Sequence, residues 1–230
     1  MGTGIWRLTG KNVYVGTTTV NGGALIINGD QTSATGAYIV NSGATLQGQG
    51  IIGGTVTVNS GATLCAGDSL YTKYLTCKKA VTMKSGSRMK MAVSTLTGTK
   101  KHRSFKFSST LKLEDGVTLE IDLTDVKEIN DGDNYTVITT MPTSLTGEFS
   151  AIEPAIPAEG YSWDTSDLYS SGKIYVVKDS VPTDPVGIEA VTRTVEHQPL
   201  QGTFDLQGKR ISPAEATGIV VTRGKKYVAE

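Results

Sequence analysis

The chain has 230 residues, 38% of them apolar, and a formal net charge of zero. No apolar run reaches the roughly 18 residues that a membrane-crossing helix needs. The 27 glycines, with recurrent Thr, Ser and Val, exclude a helix-rich fold and favour short strands joined by tight corners.

The start, Met1-Gly-Thr-Gly-Ile-Trp6, has neither the basic nor the apolar stretch of a signal peptide. It reads as a fragment that begins inside a repeat. The repeat emerges as Val20-Asn-Gly-Gly-Ala-Leu-Ile26, then Val40-Asn-Ser-Gly-Ala-Thr-Leu46, then the same heptapeptide at Val58–Leu64. Weaker copies follow at Met83–Met89 and Leu113–Leu119. One column holds Gly23, Gly43, Gly61, Gly86 and Gly116. A corner that needs positive φ suits glycine. Asn21, Asn41 and Asn59 open the first three corners, where their side chains can hydrogen-bond nearby backbone.

Before each corner, apolar positions alternate with polar ones. The pairs are Thr18 and Val20, Tyr38 and Val40, Val56 and Val58, Val81 and Met83, Leu111 and Leu113. Thr19, Ile39, Thr57, Thr82 and Lys112 lie between them. Such period-two patterning places one face inward. After the corner, Ile26, Leu46, Leu64, Met89 and Leu119 form a further inward column. One copy cannot bury its own apolar face, so copies must stack. The pattern predicts an all-β fold, a right-handed single-stranded parallel β-helix, repeating to about residue 120.

Charge is segregated along the chain. Residues 1–69 carry only Arg7, Lys11, Asp30 and Asp68. Residues 70–113 carry eleven Lys or Arg and no acid, and residues 114–186 carry fifteen acids against three bases. The basic band, 73–112, offers a candidate patch for anionic ligands: Lys78, Lys79, Lys84, Arg88, Lys90, Lys100, Lys101 and Arg103. The segment 96–104 reads as an outward loop carrying several of them. Tyr71, Tyr74, Phe105 and Phe107 are too few nearby aromatics to suggest nucleic-acid binding.

No nucleophile constellation, phosphate loop or paired carboxylates stand at a predictable geometry. His102 and His197 lie in different segments, so no metal ligands are assigned. Asp131-Gly-Asp-Asn134 reads as a turn. We assign no catalytic residue, no metal site and no cofactor. Two cysteines are too few for a disulfide framework. Cys65 follows inward Leu64 and faces out, with Ile27, Gln47, Lys90 and Glu120 as column mates. Cys77 aligns with Tyr14, Ile52 and Phe107 and faces in. Opposite facings argue against a bridge and predict one exposed thiol and one buried thiol.

The stretch Gly4-Ile-Trp-Arg-Leu-Thr-Gly-Lys-Asn-Val-Tyr14, leading into Gly16–Leu25, resembles the autotransporter-associated β-strand repeat of secreted passengers. Gly48-Gln-Gly-Ile-Ile-Gly-Gly54 and Ala66-Gly-Asp-Ser69 resemble its glycine-rich steps. Asp131–Ile138, Thr146–Ser150 and Gly160–Tyr169 resemble the hairpin-like closing strands of a passenger. After Asp179-Ser-Val-Pro-Thr-Asp-Pro-Val186 the pattern changes. Gly187–Val191, Phe204–Ile211, Gly218–Val221 and Gly224–Val228 resemble the C-terminal sorting domain of type IX exported Bacteroidetes proteins. The tail Ala229-Glu230 departs from the basic ending of that domain.

These readings divide the chain into a passenger-like domain at 1–178, a linker at 179–187 and a small β domain at 188–230. In the small domain, strands are expected at 202–206, 219–222 and 226–228. The resemblance implies a non-enzymatic, adhesin-like protein at the outer-membrane surface or outside the cell. Its partners would be cell-surface glycans or host matrix, with secretion machinery engaging the C-terminal domain and no nucleic acid. Two alternatives stand beside it: a fragment of a β-helical polysaccharide-active enzyme, or a glycan-binding module using the basic band.

Overall fold

The computed structural model describes residues 3–68, 74–95 and 101–179, and four short strands beyond residue 200. The chain divides into two compact units, Met1–Asp179 and Ser180–Glu230. Among the described residues there are strands and turns and no helix.

The first unit enters through β1 (Ile5–Leu8). Three-strand turns follow: β2 (Thr18–Val20), β3 (Gly23–Ile27) and β4 (Asp30–Gln31); then β5 (Tyr38–Val40), β6 (Ala44–Gly48) and β7 (Ile51–Ile52). The next are β8 (Val56–Val58), β9 (Thr63–Ala66) and β10 (Tyr74–Cys77); then β11 (Val81–Met83), β12 (Arg88–Ser94) and β13 (Lys101–Phe107). Beyond them come β14 (Thr110–Leu113), β15 (Thr118–Asp125), β16 (Asn134–Thr136), β17 (Ile138–Thr140), β18 (Ser144–Thr146), β19 (Ala151–Glu153), β20 (Tyr161–Asp164) and β21 (Lys173–Lys178).

Successive turns pair in parallel along three ladders. The first runs β2-β5-β8-β11-β14-β18. The second runs β1-β3-β6-β9-β12-β15-β19. The third runs β4-β7-β10-β13-β17. An antiparallel pairing of β12 with β13 joins the second ladder to the third. The result is a curled, largely parallel sheet around one apolar cluster. Its alternating strands send one face inward, as their period of two requires. Tyr38, Val40, Leu46, Val58, Leu64, Met83, Met89 and Leu119 are all fully buried.

The pre-corner columns fall as the sequence predicts. After the corner, one register differs. Leu25 pairs with Leu46, and Ile26 pairs with Gln47. The first corner is one residue shorter, because Val20 to Leu25 spans the interval that Val40 to Leu46 covers in the next turn. A one-residue slip exchanges the faces. Leu25, not Ile26, therefore joins the inward column, and Gly23 pairs with Ala44 rather than aligning with Gly43. The other four corner glycines do form a column. Gly43, Gly61 and Gly86 donate their N–H groups to the carbonyls of Gly61, Gly86 and Gly116 at 2.9, 2.9 and 3.1 Å. Their φ values, between 72° and 88°, are those that glycine adopts without a Cβ clash.

Stacking also runs further than the sequence pattern reaches. β17, β18 and β19 extend all three ladders past residue 120, to Glu153. The run Tyr135–Ile138 breaks at Val137, leaving β16 and β17 in different sheets. β16, β21 and β20 form a separate antiparallel sheet at the end of the unit. Residues 130–133 form a turn there, and Asn134 opens β16: Asn130 N–H donates to Asp133 Oδ2 at 2.9 Å, and Gly132 has φ 78°.

In the second unit, β22 (Thr203–Phe204), β23 (Arg210–Ile211), β24 (Gly218–Thr222) and β25 (Lys225–Ala229) form an antiparallel sheet. β23 was not among the expected strands. The predicted linker residues 180–187 lie outside the described residues.

Candidate functional site

The outer wall of the second ladder brings the charged candidates together. Arg7, Ile26, Gln47, Cys65, Lys90, Glu120 and Glu153 stand in register across successive strands. The basic band thus lies against the acidic segment that follows it in sequence. Lys90 Nζ lies 2.7 Å from Glu120 Oε1 and 3.4 Å from Asp122 Oδ2. Arg88 reaches Glu120 at 3.7 Å and also pairs with Glu153. At the corner, Lys84 lies 2.9 Å from Glu114 Oε1, which Lys112 approaches at 3.6 Å.

These contacts move proton affinities. The hydrogen bond from Lys84 holds the Glu114 carboxyl below its ordinary value. Burial works against Asp122, but hydrogen bonds from Thr124 and the nearby Lys90 prevail and hold its carboxyl low as well. Burial opposes the Lys90 charge too, and Glu120 outweighs it, so the ammonium is held more tightly than usual.

Lys84, Arg88 and Lys90 thus each have a carboxylate partner, while Lys78 and Lys79 are exposed. Lys101 and Arg103 are half-buried, and they sit in strand β13 rather than in the predicted outward loop. Ser94 stands opposite Lys101 and Ala92 opposite Arg103 in the antiparallel pairing. Lys100 and residues 96–99 lie outside the described residues, as does Lys73.

Cys65 faces outward, as its register predicts, yet it is only 9% exposed. The expectation of one exposed thiol is therefore corrected: both cysteines are free and buried. The aliphatic stem of Arg103 packs over the neighbouring Gly67, where any added Cβ would collide with it. Long basic side chains cover surface with their stems in this way. Burial pushes the Cys65 thiol up to about 11, although Lys90 and Arg103 pull it back. Burial alone takes Cys77 to about 12. Ile26 is likewise on the outer ladder but 2% exposed. Arg7 pairs with Asp68 across the strands that carry it, and Asn28 Nδ2 donates to the same carboxylate at 2.9 Å.

The early turns use amides. Asn41 Nδ2 donates to Asn21 Oδ1, and Asn59 Nδ2 to Asn41 Oδ1, both at 2.7 Å. The corner asparagines thus bond to one another and form a ladder between turns. On the third ladder, Gln31 replaces the predicted Tyr14 beside Ile52. It is fully buried, yet satisfied by Asn12 Nδ2 and the Gly10 carbonyl, each at 2.7 Å. Tyr14 bonds instead to the Tyr38 hydroxyl at 3.1 Å.

Sequence reasoning missed one pair on the outer face of the third ladder. Lys106 Nζ sits 3.9 Å from the centroid of the Tyr74 ring. Cys77 pairs with Phe107, Thr76 with Lys106 and Tyr74 with Ser104, so the alignment that set Cys77 beside Phe107 would have placed Tyr74 on the diagonal from Lys106, on the same face.

No protein-family model matches the chain. No helix among the described residues is long and apolar enough to cross a membrane. The chain is similar to the adhesin BmaC autotransporter of Brucella suis biovar 1 (strain 1330), with 55% identity over 49 residues. That stretch is 21% of this chain and 1% of the relative's length, and over it the chain resembles an autotransporter passenger.

Proposed function

We propose that the chain is a non-enzymatic, adhesin-like passenger presented at a bacterial cell surface, and that its ladders coil as a right-handed parallel β-solenoid. The observation that carries this reading is the in-register parallel stacking of successive turns. Such stacking builds an extended wall from short sequence units. The local similarity to an autotransporter adhesin supports the same reading. In this reading the second unit serves export, as its likeness to type IX sorting domains implies. The ligand would be a cell-surface glycan or a host matrix component.

One observation favours a more specific version. Lys78 and Lys79 are exposed and directly follow β10, the third-ladder strand whose Tyr74 stacks with Lys106 of β13. An aromatic ring flanked by cations suits a sugar bearing carboxylate or sulfate groups.

Antibody labelling of intact cells of the source bacterium tests presentation. The proposal expects labelling without permeabilisation, and labelling only after lysis would contradict it. Incubating the purified chain with acidic and neutral polysaccharides tests the non-enzymatic reading. No new reducing ends are expected, and chain-dependent release would contradict that part.

A further inference from the structure

Each turn is covered on its N-terminal side by the turn before it, and among the described residues no strand covers the first. β1, β2 and β4 each head their ladder. At this end Ile5 and Trp6 are 66% and 76% exposed, and Val13 and Val15 are 74% exposed. A cavity of about 280 Å³ opens between Trp6, Thr18 and Leu25.

The interior turns show what such a face accepts. A Cβ on Gly29 would land on the carbonyl oxygen of Gly10, and one on Gly50 on that of Gly29. A Cβ on Gly36 would land on the carbonyl of Gly16, and one on Gly54 on that of Gly36. In both columns, the bare side of each glycine holds the backbone of the preceding turn. Gly10 and Gly16 head these columns, and no described residue comes within 4 Å of their bare sides. The asparagine ladder ends in the same way. Asn59 donates to Asn41 and Asn41 to Asn21, but no described residue accepts from the Asn21 amide.

We propose that this end is a docking face for one further turn of polypeptide with the chain's own repeat pattern. That turn would run parallel to β1, place its carbonyls over Gly10 and Gly16, and offer an acceptor to Asn21. The face continues the interface that each later turn makes with its predecessor. The proposal stands on the ladders alone and is independent of any surface role.

The test attaches a copy of residues 44–61 directly ahead of Gly4 in the full chain. Ile5 shares its column with Thr63 through Ala24 and Thr45, so the copied corner enters β1 in register. A scrambled copy of the same composition is the control. The readout is amide hydrogen exchange at Ile5–Leu8, with Leu64 reporting that the core is intact. The matched copy should slow exchange at β1 by at least about tenfold relative to the scrambled one. Gly10→Ala with Gly16→Ala should leave the unextended chain unchanged and remove that protection. Equal protection by both copies would overturn the proposal, and so would protection that survives the double substitution. Should the direct fusion disturb Leu64, the same comparison is made with the copy on a flexible Gly-Ser tether. If the unextended chain proves dimeric, with β1 already protected, the face belongs to a second copy and the proposal falls.

Discussion

Between Thr18 and Ala66 the chain stacks through amides and bare glycines. Between Val81 and Glu153 it adds amines and carboxylates, and keeps a bare glycine against a carbonyl at Gly147 and Leu113. The early turns lie close, with asparagine bonded to asparagine and glycine against carbonyl. Later turns keep the same inward columns but add residues between strands, and their outer positions carry Lys90, Glu120 and Glu153. The inward column sets the fold, while the outward one is free to change chemistry. Amide ladders leave a surface uncharged and insensitive to salt. Ion-pair ladders make one whose stability depends on pH and ionic strength.

The largest effect should come from the close approach in the early turns. Gly54→Ala places a methyl against the Gly36 carbonyl. Such overpacking should cost about 3 kcal/mol or prevent folding, as read by urea denaturation. Gly132→Ala is no control here because its φ is 78°, whereas Gly16→Ala has open space and should be nearly neutral. A stable Gly54→Ala variant would erase the distinction between the two regions.

Leu64→Ala removes a fully buried side chain from a column both regions share. It should cost about 3 kcal/mol, in the range of large-to-small core substitutions. Met89→Ala, one turn later, should cost a comparable amount, since both positions are fully buried. Very different losses would mean that the two regions do not share one core.

Asn41→Ala removes the acceptor for Asn59 and the donor to Asn21. A loss of about 1 kcal/mol, unchanged by salt, is expected from a half-exposed hydrogen-bond ladder. A double-mutant cycle of Lys90→Met and Glu120→Gln should give a smaller coupling of about 0.5 kcal/mol that shrinks in salt. Glu114 and Asp122 both titrate below their ordinary values. Their contribution is fully present above the unfolded carboxylate values and is lost as pH falls through the lowered ones. Asp30 of the early turns is also held low, but by Thr32 two residues on and not by another turn, so acid should weaken the late turns first, visible as faster amide exchange at Arg88–Met91 than at Thr45–Leu46. The reverse order would contradict the stacking of the late turns through the Lys84, Arg88 and Lys90 ion pairs.

Much of this was legible in the sequence because the heptapeptide repeats its spacing. Val40, Val58, Met83 and Leu113 fell into one column by simple alignment. The shorter first corner hid the true register, since nothing in Asn21-Gly-Gly23 signals that a residue is missing. Lys90 and Glu120 already shared a column with Cys65, so their pairing could be read from the alignment. Burial of Cys65 could not, because Arg103, whose stem packs over the adjacent Gly67, returns on a strand 38 residues further on. The antiparallel start of β13 was invisible for a similar reason: local pattern does not report a hairpin that leaves one ladder and joins the next. Turns beyond residue 120 lacked the heptapeptide, and only pairing with β13, β14 and β15 shows that stacking continues.

The most direct test of the stacking is a set of distances along the first ladder. Spin labels at Thr19 and Thr82, or at Thr19 and Lys112, occupy outward positions three and four strands apart. With Cys65 and Cys77 replaced by alanine, pulsed electron resonance should give separations near 14 and 19 Å, a step of about 4.8 Å per strand. Separations that fail to lengthen from the first pair to the second would contradict parallel, in-register stacking.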